Sequence, residues 1–517
     1  MTHYLADFHL RAPDGTAVIL RMAEPPGFRV MPEDDPQRPY YAPRAERLAN
    51  FEVGLFSGAA VGGRSRVGRA DAVLRNADHA LDGYDQHAWN RAVIWALPDG
   101  PFIRWANAVR VFSGPIARAD WDGDEVVVKF RDAQAACDRA LTRAKHLGNN
   151  ARPRGVEGFA DIKDREKPCA FGRVFAAPGR LVNEVLQIYQ WHDGRCAVLN
   201  PKVGGKAVPS QGDVGSAIDD PALVIDGGYC KTDLSRGLAR LGFVPTMPVT
   251  ADVDGDAPGG VWPSAPGDLL RHIATTRLLV SATAVDEASV ALLRAAWPEP
   301  CGVFLADGAG GLETLDTIAS SAAAWWTLDF AERFGVGSIL PPAGPYDLIL
   351  TDAARIVRLD RQSSADPLGG DAYWRVEINH SENLTPLTDQ QVAPTIPDAQ
   401  RPALLARWPA PAVAENPAVL AANPALADRA DGGVLKLDSR WASAAPAQRL
   451  ANLLLSLRAP SRRTVIATLD AARARLVRPG SGVLLRRSEL AGGADVATRL
   501  VHLTTDDGVT YRATLRS

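Results

Sequence analysis

Val109-Arg110-Val111-Phe112-Ser113-Gly114-Pro115-Ile116-Ala117-Arg118-Ala119 carries alternating apolar residues, Trp121-Asp122-Gly123-Asp124 turns, and Glu125-Val126-Val127-Val128-Lys129-Phe130 runs back. A period of two sends successive side chains to opposite faces of a sheet, so the stretch predicts a long β-hairpin. Asp122-Gly123 suits the tight turn, because positive φ is tolerated there. Upstream, Tyr4 to Leu10 alternates, Asp14-Gly15 turns and Ala17 to Met22 returns, a second hairpin. Between the two, Pro25 to Pro43 is rich in proline and charge and reads as a long exposed loop. Residues 1–150 are therefore expected to form a β domain.

From Ala151 to Gly259 short strands alternate with loops: Cys169 to Phe175, Val185 to Trp191 and Cys196 to Leu199. This is the pattern of a small intervening β domain. After Pro266 the apolar period lengthens to that of helices. Asp268 is placed to cap one through Leu269, Leu270, Ile273 and Ala274, and Asp286 to cap another through Val290, Leu292, Leu293 and Ala296, stopped by Trp297-Pro298. A strand at Gly302 to Leu305, a helix around Leu315 to Ala322 and a hairpin from Trp326 to Ile339 follow, so 260–400 reads as α+β. Residues 401–517 begin with an Ala/Pro connector, because each proline disfavours helix in the residue before it. They continue with an amphipathic helix at Ala447 to Leu457 and end in strands around Gly482, Leu500 and Tyr511, with a turn at Asp506-Asp507-Gly508.

Composition narrows the function. The 517 residues suggest roughly three to five domains at ordinary domain sizes. Their 45 Gly and 38 Pro exceed the usual ~7% and ~5%, which favours turns over a helical bundle. A net charge of −3 supplies no basic field for a nucleic-acid backbone. No apolar run reaches membrane-spanning length, and Met1 to Leu10 lacks an apolar signal core. The chain is thus expected to be soluble, without a membrane anchor, and folded in the cytoplasm.

Signatures of chemistry are sparse. HExxH, GxSxG and GxxxxGK[ST] do not occur, so nothing local points to an enzyme. Five cysteines, Cys137, Cys169, Cys196, Cys230 and Cys301, are too few and too far apart for a disulfide framework. The first four are spaced by 32, 27 and 34 residues; buried free thiols and an iron–sulfur cluster are both open to them. Asp252, Asp254 and Asp256 are a possible calcium set, but Gly255 falls at position 4 where an EF-hand loop needs glycine at 6, and an Asp-Gly turn between strands accounts for the same residues. Trp325-Trp326 reads as a core anchor ahead of a stacking platform for sugar.

Several phrases resemble those of tail-tip or baseplate hub proteins from non-contractile phages and gene transfer agents. They are Leu74-Arg75-Asn76-Ala77-Asp78 with Leu81-Asp82, departing at His79 where the family has Gly, and Phe112-Ser113-Gly114-Pro115-Ile116 with Phe130-Arg131-Asp132. Lys167-Pro168, Phe171-Gly172-Arg173-Val174 and Ile188-Tyr189-Gln190-Trp191-His192-Asp193-Gly194 follow, then Leu241-Gly242, Thr250 to Asp256, Trp297-Pro298 and Ala324-Trp325-Trp326. The order holds over residues 50–340. The resemblance implies an α+β, β-rich multidomain fold with two tube-like β-barrel domains, one from 1–150 and one from 260–517, and a smaller inserted β domain at 151–259. It further implies a non-enzymatic virion protein of the tail tip, made in the host bacterial cytoplasm. Some members of the family carry an iron–sulfur cluster, which keeps Cys137, Cys169, Cys196 and Cys230 as candidates, but their spacing matches no recognised ligand pattern and no cofactor is expected. As a homotrimer it would meet the distal tail and tail tube proteins, the tape measure protein, the central fibre and other baseplate proteins, with genomic DNA passing transiently. Tube proteins pair strand edges between subunits, and the strands flanking Asp122-Gly123 are the expected edges.

Overall fold

The computed structural model describes residues 3–31, 34, 40–48, 51–55, 62–67, 71–97, 104–131, 133–142, 144–308, 310–329, 332–341, 344–351, 359–362, 372–458, 464–474, 477, 479–486, 495–505 and 510–516. The fold is β-rich and multidomain, built from several sheets of which the largest are curled into half-barrels. The first is an antiparallel seven-stranded sheet in the order Ala17–Ala23, His3–Arg11, Ala88–Leu97, Val109–Asp122, Glu125–Phe130, Asp71–Arg75, Ala45–Arg47. Register shifts at His9/Leu10, Ile94/Trp95 and Lys129/Phe130 are bulges, which tighten the local twist and help the sheet curl. Its concave core is the alternating set Tyr4, Ala6, Phe8 and Leu10 with Ile94, Phe112, Val126 and Val128.

Both predicted hairpins form, in the registers Phe8↔Leu20 and Val127↔Asp120. Two expectations need correction here. The turn's central pair is Gly123-Asp124, with Gly123 at φ +53°, so glycine leads the turn. Val109–Asp122 and Glu125–Phe130 are interior strands, hydrogen-bonded on both sides; among the described residues the outermost strands of the sheet are Ala17–Ala23, whose end bonds Ala42, and Ala45–Arg47. The Pro25 to Pro43 segment is also not wholly exposed where it is described: Val30 and Tyr41 are buried, and Tyr41 donates to the buried carboxylate of Asp7 at 2.8 Å.

The middle of the chain makes two five-stranded sheets. One runs Lys206–Ala207, Val198–Val203, Val249–Gly255, Cys169–Pro178, Gly302–Leu305; the other runs Arg180–Asn183, Ile188–Gln190, Leu238–Leu241, Cys230–Asp233, Ser210–Asp213. Val174, Ala177, Tyr189, Trp191, Leu199, Ala251 and Val253 pack together in one of their cores. Within Val249–Gly255, residues 252–255 continue the strand, which corrects the Asp-Gly turn read from composition. The expected strand from Val185 narrows to Ile188–Gln190, since the chain turns first and puts Gln187 at φ +52°.

The largest core joins helices Pro266–His272, Glu287–Ala296, Gly311–Ser321 and Ala444–Arg458 to the hairpin Ala324–Leu328/Phe334–Ser338 and the sheet Ala412–Glu415, Arg375–Asn379, Val434–Asp438. Asp286 caps its helix by accepting from the Ser289 N–H. Asp268 does not cap: the helix starts earlier, at Pro266, and Asp268 pairs with Arg294. The Ala/Pro connector breaks into the short helices Arg401–Leu405 and Pro417–Ala422 around a strand.

The last sheet runs Leu348–Thr351, Gly482–Arg486, Val496–Thr505, Thr510–Arg516, Thr464–Asp470, Leu359–Gln362. Phe51–Gly54, from early in the chain, pairs with the second half of Val496–Thr505 and brings Arg66–Val67 beside it. The turn expected at Asp506-Asp507-Gly508 lies outside the described residues. Among the described residues no helix is long and apolar enough to cross a membrane.

Candidate functional site

Among the described residues, a dense grouping of ionisable side chains is buried where the central sheet meets the helical core. Four separate pieces of chain build it. Cys169–Pro178 contributes Cys169 and Phe171; the segment after Ile188–Gln190 contributes His192 and Asp193; the end of Val249–Gly255 delivers Asp256, whose N–H bonds the Ala170 carbonyl. Helix Pro266–His272 ends in His272 and continues as a π turn, Ile273–Arg277, that presents Arg277. The wider π turn re-aims the last side chain relative to a regular helix.

Glycines permit the close approach. A Cβ at Gly255 would lie 2.5 Å from the Ala170 carbonyl oxygen, and one at Gly172 (φ +68°) 2.0 Å from that of Cys301. Trp191 fixes the approach to His192 by donating to the Ala177 carbonyl at 2.9 Å.

Arg277 grips Asp193 through two parallel hydrogen bonds of 2.7 and 2.9 Å and reaches Asp256 Oδ2 at 3.0 Å. His272 Nε2 also meets Asp256 Oδ2 at 3.0 Å. His192 Nε2 lies 3.3 Å from Asp256 Oδ1, off the line of a good hydrogen bond, while its Nδ1 accepts the Ala170 N–H at 3.1 Å. The guanidinium sits 5.3 Å from the centre of the Phe171 ring, a cation–π contact. Burial opposes the charge on Asp256, but His192, His272 and Arg277 overcome it and hold its carboxyl well below the usual range. For Arg277 burial again opposes the charge, and the carboxylates, Asp193 first, outweigh it and push its basicity up. Burial, followed by the neighbouring Asp193 charge, pushes the Cys169 thiol well up.

Cys169, His192 and Asp193 have donor atoms within 4.8 Å of one another, the spacing of a metal site. The donors are already engaged. Asp193 is held by Arg277, the His192 Nδ1 lone pair is taken by a backbone N–H, and the thiol is kept protonated and donates to Asp193 Oδ1 at 3.4 Å. A fixed cation therefore stands beside the place where a metal's charge would be needed. The arrangement can hold elements together; it presents no nucleophile beside a free base.

The four cysteines proposed for a cluster are divided: Cys137 and Cys169 pack in the helical core, Cys196 and Cys230 in the core of the central sheets. All four are buried, as is Cys301. Asp252 and Asp254 lie on one strand and Asp256 just past its end, yet each takes a different cation: Asp252 Lys202 at 2.6 Å, Asp254 Arg173 in a bidentate pair, Asp256 the knot just described. Sequence reading overlooked His272 and Arg277. The only trace of His272 is that it breaks the apolar run Leu269, Leu270, Ile273, Ala274; Arg277 lies beyond that run with nothing to single it out.

The class these features define is a multidomain β-rich protein with a curled sheet near each end of the chain and a salt-bridged junction between. No protein-family model matches the chain, and no curated protein matches it. Among solved structures, a tail protein from Neisseria meningitidis is similar at 11% identity and TM-score 0.38, covering 99% of this chain and 96% of that one. The 43 kDa tail protein of prophage MuSo2 from Shewanella oneidensis is similar at 8% identity and TM-score 0.40, with 99% and 97% covered. A chain from the virion of a native gene transfer agent is similar at 13% identity and TM-score 0.40, with 75% and 92% covered.

Proposed function

We propose that this chain is a structural protein of a phage-type tail tip or baseplate: a hub, working as a homotrimer, that joins the tail tube or distal tail ring to the central fibre and lines part of the DNA conduit. The observation that carries the reading is the pair of curled sheets, one from residues 3–130 and one from 348–516 completed by Phe51–Gly54. Two such sheets per chain give a trimer six similar segments, enough to continue a six-fold tube. The ordered phrases that resemble hub proteins support it, because they supply structural parts. Asn76 is buried and pins its turn by accepting from the Leu81 N–H and donating to Asp82, and His79, where the family has Gly, sits at φ +56°. A near-neutral net charge suits a conduit that must release DNA.

A carbohydrate-binding or cell-wall-hydrolysing baseplate protein is the rival. Trp326 is fully buried and donates to Asp316, and Trp325 packs against Gly337 and Gly480, which argues against their serving as a sugar platform. A distal tail ring protein is the nearer alternative. The deciding measurement is the mass of the full chain in solution together with its copy number in purified particles. A trimer at three copies per particle is expected; a stable monomer at six copies overturns the hub and favours the ring.

A further inference from the structure

The strand Gly302–Leu305 and the chain around Arg440 meet over a small, partly open space. Gly302 donates to the Arg440 carbonyl at 3.0 Å, Ser381 to the Trp441 carbonyl at 2.8 Å, and Cys301 bridges Trp441. The contacts of Gly302 and Cys301 dock the sheet containing Arg375–Asn379 and Val434–Asp438 onto the central sheet, and the Ser381 bond ties that sheet's own ends together. Between them lies a cavity of about 20 Å³ lined by Arg173, Gly302, Glu382, Arg440 and Trp441 along with apolar neighbours.

Two of the lining side chains carry buried donors with no partner: Trp441 Nε1 and Arg440 Nε. Trp441 is 1% exposed. An indole N–H can only donate, and so can a guanidinium N–H, so neither satisfies the other. The remaining Arg440 charge is held by Glu382, which also takes the exposed Arg407. A space of about 10–15 Å³ is enough for one water when two to four polar groups surround it. This cavity has the room, two donors and a carboxylate acceptor.

The geometry points to a bound water in this cavity, accepting from Trp441 Nε1–H and Arg440 Nε–H and donating to the Glu382 carboxylate. Such a molecule uses both lone pairs and at least one proton, the usual number of bonds for an internal water. It forms a polar keystone for the docking of 381–384 and 439–442 on the strand at 302–305. An apolar guest is excluded by the size of the space and by the orphaned donors.

The test is a crystal structure of the full chain at a resolution that shows ordered waters. A single peak within hydrogen-bond reach of both nitrogens and of Glu382 is expected. A dry cavity, or protein partners found on both nitrogens, overturns the assignment. In Trp441→Phe the ring keeps its place 5.3 Å from Trp297 but loses its N–H. The peak should weaken or vanish there while the Arg440–Glu382 pair stays; an undiminished peak overturns the bridging role of Trp441.

Discussion

His146 is fully buried, neither of its ring nitrogens has a hydrogen-bond partner, and Lys167 and Arg180 lie close by. Burial first, and then those two cations, push its imidazole down to about 4, with only Glu157 acting the other way. An unfolded chain takes up a proton at ordinary imidazole values near 6.5, whereas the folded chain resists until about 4. The contribution of His146 to stability is therefore constant above 6.5 and falls as the pH drops through that window, by at most about 3–4 kcal/mol. His146→Phe should flatten this part of a denaturation-midpoint-against-pH curve. An unchanged slope would mean that other groups set it. Arg277 makes a sharper residue-scale case: Arg277→Leu leaves Asp193 and Asp256 buried without their shared cation, at a cost of about 3–5 kcal/mol in chemical denaturation. Arg277→Lys should recover only part of that loss, since an ammonium cannot make the parallel pair seen with Asp193.

At the scale of elements, legibility followed how local each cause was. Glu287–Ala296 was readable because its start, Asp286, and its stop at Trp297-Pro298 are adjacent in sequence. Asp286→Ala should cost about 1 kcal/mol, measured by thermal melting, and Asp286→Ser should recover most of it by restoring an acceptor for the Ser289 N–H. The strand through Asp252-Val253-Asp254-Gly255 was misread because aspartate and glycine are poor strand formers. Lys202 and Arg173, 50 and 81 residues before Asp252 and Asp254 and visible only after folding, neutralise the two carboxylates. The helix at Pro266 shows the same limit from the other side. Proline at its first position and Asp268 inside its first turn both suit a helix start, and only the fold decides between them. The junction was legible in pieces. Phe171-Gly172, Trp191-His192-Asp193 and Asp256 were all singled out in the sequence, but their convergence depends on His272 and Arg277, which no local signal marks.

At the scale of the whole molecule, the first and last described strands meet. Tyr4, on His3–Arg11, and Tyr511, on Thr510–Arg516, have buried hydroxyls 3.2 Å apart. Phe51–Gly54 completes the C-terminal sheet from early in the chain, and Arg91 of the first sheet pairs with Glu332 on the hairpin loop of the helical core. Such cross-links make it costly for either curled sheet to open alone, because opening strips an edge from the other and leaves buried polar groups unpaired. The two sheets should therefore unfold in one transition. Hydrogen exchange on the strands at 3–11 and 464–470 should report the same opening free energy, while exposed segments such as Ser210–Asp213 open more easily. A double-mutant cycle on Tyr4→Phe and Tyr511→Phe isolates the direct link, with a coupling of about 0.5–1.5 kcal/mol expected for a net hydrogen bond. Zero coupling together with two separated exchange energies would mean that the sheets are independent.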